Sequence, residues 1–375
     1  MHVVTEGLFF DADAAPASER SVSSTSVVRT ADGTILVGCR LGSDREGPDG
    51  HAAIFATRDE GRTWETRYRG VADREWDGVR GEARSWLLAE PEPGLLVASV
   101  LWVDRSDPAA PWVNQVTQGL LPMRIYHVSS TDGGRTWGDR RRFDTRPYPA
   151  ASPTGPVLRL PGGALAQPFE HWKEYDDPGP GRPAALLRVS RDDRRTWPAE
   201  SVVARDPDGR VYFWDQRLAV DPASGTLIAM FWTHEPEAGV DRDVHAAFGS
   251  PDGLSWTDPA PTGLPGQHTA PIPLDGGTLL AVYAQRRRPP GIRAVASADF
   301  GRTWDRGGGI EVHASQAGDE PGAGGPRSQG EYWNDMGAWQ FGHPAGVALP
   351  GRRAFVAFSA GRGTSRSGHW AIVQA

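Results

Sequence analysis

The chain has one cysteine, Cys39, among 375 residues, so no disulfide can form within it. It has one lysine, Lys173; all its other basic residues are arginine. No stretch of about 18 apolar residues is present to cross a membrane as a helix. The opening "MHVVTEGLFF" has neither the basic start nor the apolar centre of a secretion signal. The expectation is a cytoplasmic protein with no membrane partner. Apolar spacing of three to four residues is never sustained long enough for a major helix. The formal charge is −7, which speaks against nucleic acid as a partner, since neutralising phosphates needs a basic surface. There is no nucleotide or flavin motif and no H-x-x-x-H-type spacing, so neither cofactor nor metal is expected.

What the chain has in quantity is turn formers and tryptophan: 46 glycines, 32 prolines and 15 tryptophans. Such a composition favours short strands joined by many turns. One short turn is written five times. It reads "TRDEGRTWE" from Thr57, "STDGGRTWG" from Ser130, "SRDDRRTWP" from Ser190, "SPDGLSWTD" from Ser250 and "SADFGRTWD" from Ser297. The aspartate can accept backbone N–H groups within the turn, the glycine permits positive φ, and the tryptophan offers a large apolar face. In the third copy Arg194 replaces the glycine, and the fourth is one residue shorter.

A second repeat interleaves with the first. Strand–turn–strand patterns such as "SVVRTADGTILVGCR", "RLAVDPASGTLIAMFW" and "AGVALPGRRAFVAFS" occur six times, each joining two β-rich runs through Gly, Pro or Asp. Five are followed by the tryptophan turn. The pattern predicts an all-β fold, a six-bladed β-propeller of four-stranded antiparallel blades, as one domain over residues 1–375. The last unit ends on "GHWAIVQA" as its third strand, so the N-terminal "HVVTEGLFF" is expected to supply the fourth and close the ring.

The five turns resemble the Asp-boxes (BNR repeats) of the sialidase, or neuraminidase, superfamily, and the resemblance covers nearly the whole chain. It implies a six-bladed propeller and a glycosidase site. There, an arginine triad grips the substrate carboxylate, an aspartate serves as acid/base, and a tyrosine paired with a glutamate is the nucleophile. Carried onto this chain, Ser43-Asp44 resembles the acid/base signature. Arg217 and the Arg286–Arg288 group fall in the blades of two triad arginines. Tyr332 matches the nucleophile, with Glu170 or Glu235 as partner. The R-I-P signature of the first arginine is missing: the region reads "ERSVSSTSVV", with Ser23 at that place.

Topology alone separates scaffold from chemistry. Hairpin turns and tryptophan turns share one face of such a propeller, so functional residues are expected from the loops and inner-strand starts of the other. Counting back about nine residues from each hairpin turn reaches Ser23, Arg84, Ser152, then Asp215 with Arg217. The last two units give Gln267 with His268, and Gln340 with His343. The loops add Asp44, Asp104 and Arg105, then Glu170, His171, Trp172 and Lys173 in "EHWKEY", with His234 and Glu235 beyond. The Gly- and Pro-rich crossover 316–339 is long enough for a lid.

Three functions suit these residues. The first is an exo-acting glycoside hydrolase on a polar or carboxylated sugar. Its catalytic candidates are Asp44, Asp215, Glu170, Tyr332 and His171. Arg84, Arg217, Lys173, His268, Arg286, Gln340 and His343 are its polar binding candidates, with Trp172 and Trp214 stacking on sugar faces. The second is a lyase cleaving uronic acids by β-elimination. It would use His171, His268, His343, Lys173 or Tyr332 as base and Arg84 or Arg217 to neutralise the carboxylate. The third is a carbohydrate-binding propeller without catalysis. A carbohydrate is the expected partner in all three.

Overall fold

A computed structural model describes residues 1–71, 73–315, 331, 335, 336 and 338–375. Its strands form, among the described residues, five sheets, and the eight-stranded one divides at a single parallel bridge into two antiparallel halves, which makes six antiparallel units. Their inner strands are Ser21–Arg29, Val79–Glu92, the split pair Ser152–Pro153 and Leu158–Arg159, Tyr212–Val220, Thr269–Pro273 and Phe341–Leu349. Each is followed by three strands running outward.

The units form a ring. Ser21–Arg29 touches Val79–Glu92 on one side and Phe341–Leu349 on the other. The latter touches Thr269–Pro273, which in turn touches Tyr212–Val220. Every neighbouring pair of units also shares its own apolar core. Trp86, Leu36 and Ile54 pack between units one and two, and Phe143, Phe169 and Leu186 between two and three. Leu187 and Phe231 join three and four, Met230 and Tyr283 four and five, Val282 and Val356 five and six. Val37 and Phe355 complete the circuit between one and six. Fully burying one such side chain contributes roughly 1.5–3 kcal/mol, and the contribution recurs at all six joints.

The expected closure is present. His2–Phe10 pairs antiparallel with Ser365–Gln374, from His2 opposite Gln374 to Phe10 opposite Gly368. The sixth unit therefore takes three strands from one end of the chain and one from the other. A single parallel bridge, Ser21 opposite Arg366, links it to the first unit.

The tryptophan turns are self-contained. Asp59 Oδ1 accepts from Thr63 N (2.9 Å) and from the Thr57 hydroxyl (2.8 Å), while Oδ2 accepts from the Thr63 hydroxyl (2.7 Å). Gly61 sits at φ +95° and its carbonyl accepts the Trp64 indole N–H at 3.1 Å. Asp132, Asp192 and Asp299 repeat the carboxylate pattern. In the third turn Arg194 takes the left-handed conformation itself, at φ 62°, and donates to Ser129 Oγ of the neighbouring unit at 2.8 Å. No residue of these turns reaches the cavity described next.

Candidate functional site

On the opposite face the inner strands open into a cavity of about 410 Å³. Four of the six inner strands carry one extra residue at this depth. The pairing slips between Ser23 and Ser26, Ala83 and Ser85, Trp214 and Arg217, and Gly342 and Ala345. An extra residue in one strand of an antiparallel pair is a bulge, which leaves that residue out of the ladder and re-aims its side chain. Ser24, Asp215 and His343 pass through positive φ there, at 53°, 49° and 51°, a conformation that costs a non-glycine residue of order 1 kcal/mol and concentrates at functional positions. Ser24, Arg84, Asp215 and His343 all line the cavity.

Asp215 is the centre of the polar floor. Its Oδ1 lies 2.8 Å from Arg217 Nη2, and its Oδ2 lies 2.6 Å from His268 Nε2. The bulge frees its backbone N–H from the ladder, and Glu170 Oε2 accepts that N–H at 2.6 Å. Glu170 stands opposite Ser152 in the third unit. Burial raises its carboxyl to about 7, against the opposing pull of Arg217 and of Ser152. Burial likewise brings the Arg217 guanidinium down to about 10, still cationic at neutral pH.

The histidines of the floor are neutral. Burial, helped by Arg286 and Arg45, pushes His268 well below its usual range. Burial and the adjacent His268 do the same to His343, the two rings meeting edge-on at 4.5 Å. His268 Nδ1, the nitrogen turned away from Asp215, is buried without a hydrogen-bond partner. Buried polar atoms are ordinarily paired, so this nitrogen marks where a bound polar group would complete the site. His171 also lines the cavity, against Tyr148, with burial lowering its imidazole.

The walls differ in character. One is charged: Arg84 Nη2 holds Glu46 Oε2 at 2.5 Å and lies over the Trp112 ring at 4.4 Å, while Arg45 is bonded to Met336 O. A buried triad braces this wall from behind. Glu82 receives Arg40 on one oxygen (2.8 Å) and Arg105 on the other (2.6 Å). The same guanidinium groups donate to Asp44 O and Glu46 O, fixing the loop that delivers Arg45 and Glu46. The other wall is aromatic, built of Trp172, Trp214 and Trp232. Trp214 stacks on His234 at 5.3 Å and 10°.

Of the residues expected from sequence, the cavity gathers Glu170, Asp215, His171, Arg84, Arg217, His268, His343, Trp172 and Trp214. Asp104, Arg105, His234, Glu235 and Gln267 do not line it, and neither do Asp44, Lys173, Arg286 and Gln340. The Asp44 carboxylate turns back on its own loop, accepting Glu46 N at 2.7 Å and Gly47 N. Lys173 Nζ donates to Gly179 O at 2.5 Å, pinning its loop instead of facing a ligand. Arg286 lies behind the floor, between Trp339 and Phe341 at 4.2 and 4.3 Å, donating to Gln267 Oε1. Gln340 donates to Ala338 O and borders a different cavity with His313 and His369. Tyr332 and most of the crossover expected as a lid lie outside the described residues.

Arg45, Glu46, Trp112 and Trp232 line the cavity without having been singled out. Arg45 and Glu46 directly follow Asp44 in the "GSDREG" loop, so the loop was legible and the choice within it was not.

No protein-family model and no curated protein sequence matches the chain. Solved structures do. A protein of unknown function from Dyadobacter fermentans superposes with a TM-score of 0.73 at 18% identity, over 99% of this chain and 98% of that one. A Hadza microbial sialidase gives 0.66 at 14% identity, over 99% and 68%. Trypanosoma rangeli sialidase gives 0.62 at 13% identity, covering 94% of this chain and 55% of that chain. At these identities the likeness establishes the fold: a sialidase-like all-β propeller.

Proposed function

We propose that the protein is a glycoside hydrolase acting on a polar or carboxylated sugar held in this cavity, with Glu170 as proton donor and Asp215 as its partner carboxyl group. The observation that carries the reading is a pair of carboxyl groups in one cavity, joined by the bond from the Asp215 backbone N–H to Glu170. Glu170, raised to about 7 by burial, keeps a proton near neutrality and can give it to a departing glycosidic oxygen. Asp215, between Arg217 and His268, is placed to meet the positive charge that develops on the sugar ring. The sialidases among the structural neighbours support the reaction class by analogy of fold alone.

The lining also speaks to charge. Below about pH 7, where burial keeps the proton on Glu170, Arg45, Arg84 and Arg217 stand against Glu46 and Asp215. One guanidinium is in excess, which favours an anionic substrate. The Trp172, Trp214 and Trp232 wall supplies flat apolar surface for sugar C–H faces.

A second reading has its own observation. The paired neutral imidazoles of His268 and His343 suit a base that removes a proton beside a uronate carboxylate. One screen separates the two. Aryl glycosides of sialic, uronic and neutral sugars report hydrolysis as released phenol, and uronic-acid oligosaccharides report elimination as ultraviolet absorbance of the unsaturated product. The hydrolase predicts phenol release that falls about 10²–10⁴-fold in Glu170→Gln. Absorbance without phenol would sink it, and silence in both would leave a binding propeller.

A further inference from the structure

Two loops of neighbouring units are zipped together over the cavity. One spans 105–122 in the second unit, and the other leaves the third unit directly after Glu170 and His171. Trp172 Nε1 donates to Gln118 O at 2.7 Å, and Leu120 N to Lys173 O at 3.3 Å. The Thr117 hydroxyl donates to Tyr175 O. Leu120 also bridges Glu174 in parallel fashion. At Gly119 the loops meet so closely that a Cβ would stand 1.9 Å from Glu174 O. With this many cross-bonds the rim is a built wall.

Apart from Gln115, its inner surface is apolar. Val113, Leu120 and Trp172 line the cavity while being only 8%, 9% and 6% exposed. They pack in one cluster with Trp214 and Trp232. The charged wall of Arg45 and Glu46 belongs to a different loop. An apolar surface left facing a cavity gains by covering with apolar matter, roughly in proportion to area.

The position of Glu170 gives that surface a direction. A general acid protonates the leaving-group oxygen, so the departing group lies on the acid's side of the bond. The chain continuing from Glu170 leads through His171 to Trp172, and Trp172 is bonded to the rim. The geometry points to a leaving-group subsite: the rim of Val113, Leu120 and Trp172 receives the apolar alcohol, aromatic or alkyl, of the glycoside cleaved at Glu170. The words "leaving group" rest on the hydrolase reading above; binding of an apolar alcohol does not.

The first test is calorimetric titration of 1-naphthol into the full chain. Saturable binding is expected, weakened about tenfold in Leu120→Ala and in Trp112→Ala, the latter at the half-buried edge of the rim. Both variants should keep a cooperative melting transition. Absence of saturable binding, or binding unmoved by both substitutions, overturns the proposal. The second test compares KM for the naphthyl and methyl glycosides of whichever sugar is turned over, with a tenfold lower KM expected for the naphthyl compound. Equal KM values would remove the rim subsite and leave the hydrolase intact. Naphthol binding without turnover of any glycoside would remove the hydrolase and leave an apolar-alcohol site standing.

Discussion

The indole N–H of Trp232 donates to Asp241 Oδ1 at 2.9 Å, and that bond holds a wall of the cavity from behind. The same oxygen lies 2.9 Å from His234 Nδ1, whose ring is stacked on Trp214. Gln267 Nε2 donates to the second oxygen at 2.6 Å. One carboxylate outside the cavity thus orients two of the tryptophans that line it.

Removing that carboxylate should be costly, because the three groups it gathers, Trp232, His234 and Gln267, are themselves buried. Asp241→Ala is expected to destabilise the fold by about 2–4 kcal/mol, with Asp241→Asn recovering at least half of the loss. Urea denaturation of both variants reads the difference. Equal stability of the alanine variant and the wild type would show that the network is slack.

Glu170 makes a prediction of opposite sign from an ordinary carboxylate. Its folded value, about 7, lies above its usual 4.5, so the stability it contributes is full below about pH 4.5 and is lost as pH rises through 7. Relative to wild type, Glu170→Gln should gain about 2–3 kcal/mol of stability between pH 5 and pH 8. If Glu170 is the acid, turnover should also decline above about pH 7. Paired melts across pH test the first statement, and a pH–rate profile the second.

The histidines push the other way and outnumber it. Burial lowers His127 and His369 to about 4 and depresses His51, His171, His268, His313 and His343. A histidine depressed in the fold contributes stability present above its unfolded value and lost as pH falls towards the folded one. Seven such groups outweigh one raised carboxyl. The melting temperature should therefore drop steadily from pH 7 to pH 5, and a flat melting temperature over that range would contradict it.

Glu82 is fully buried between Arg40 and Arg105, also buried. Burial alone would raise its carboxyl, but the guanidinium groups of Arg40, Arg84 and Arg105 outweigh burial and hold it low. Glu82→Ala would leave two buried cations facing each other, a loss of about 3–5 kcal/mol. It should also free the loop carrying Arg45 and Glu46, seen as faster hydrogen exchange over residues 43–50. Unchanged exchange there would mean the loop is held by other contacts.

How much of this was legible beforehand follows from the range over which each feature is decided. The tryptophan turns are closed by bonds between residues two to four apart, such as Thr57, Asp59 and Thr63. Hairpins and strand alternation are equally local, so the all-β repeat, the ring of units and the closing strand His2–Phe10 could be read from residue order. Which side chains face the cavity could not. Asp215 and Arg84 enter it because one residue is extra in the pairing of their strands, and that surplus exists only relative to the opposite strand. Asp44 faces its own loop while Arg45 and Glu46 line the cavity, because Arg40 and Arg105, drawn together by Glu82 of the next unit, set how that loop folds. The sequence by itself determined a propeller and the loops that carry its chemistry. Strand register and buried charge, which join residues far apart in the chain, decided which members of those loops meet.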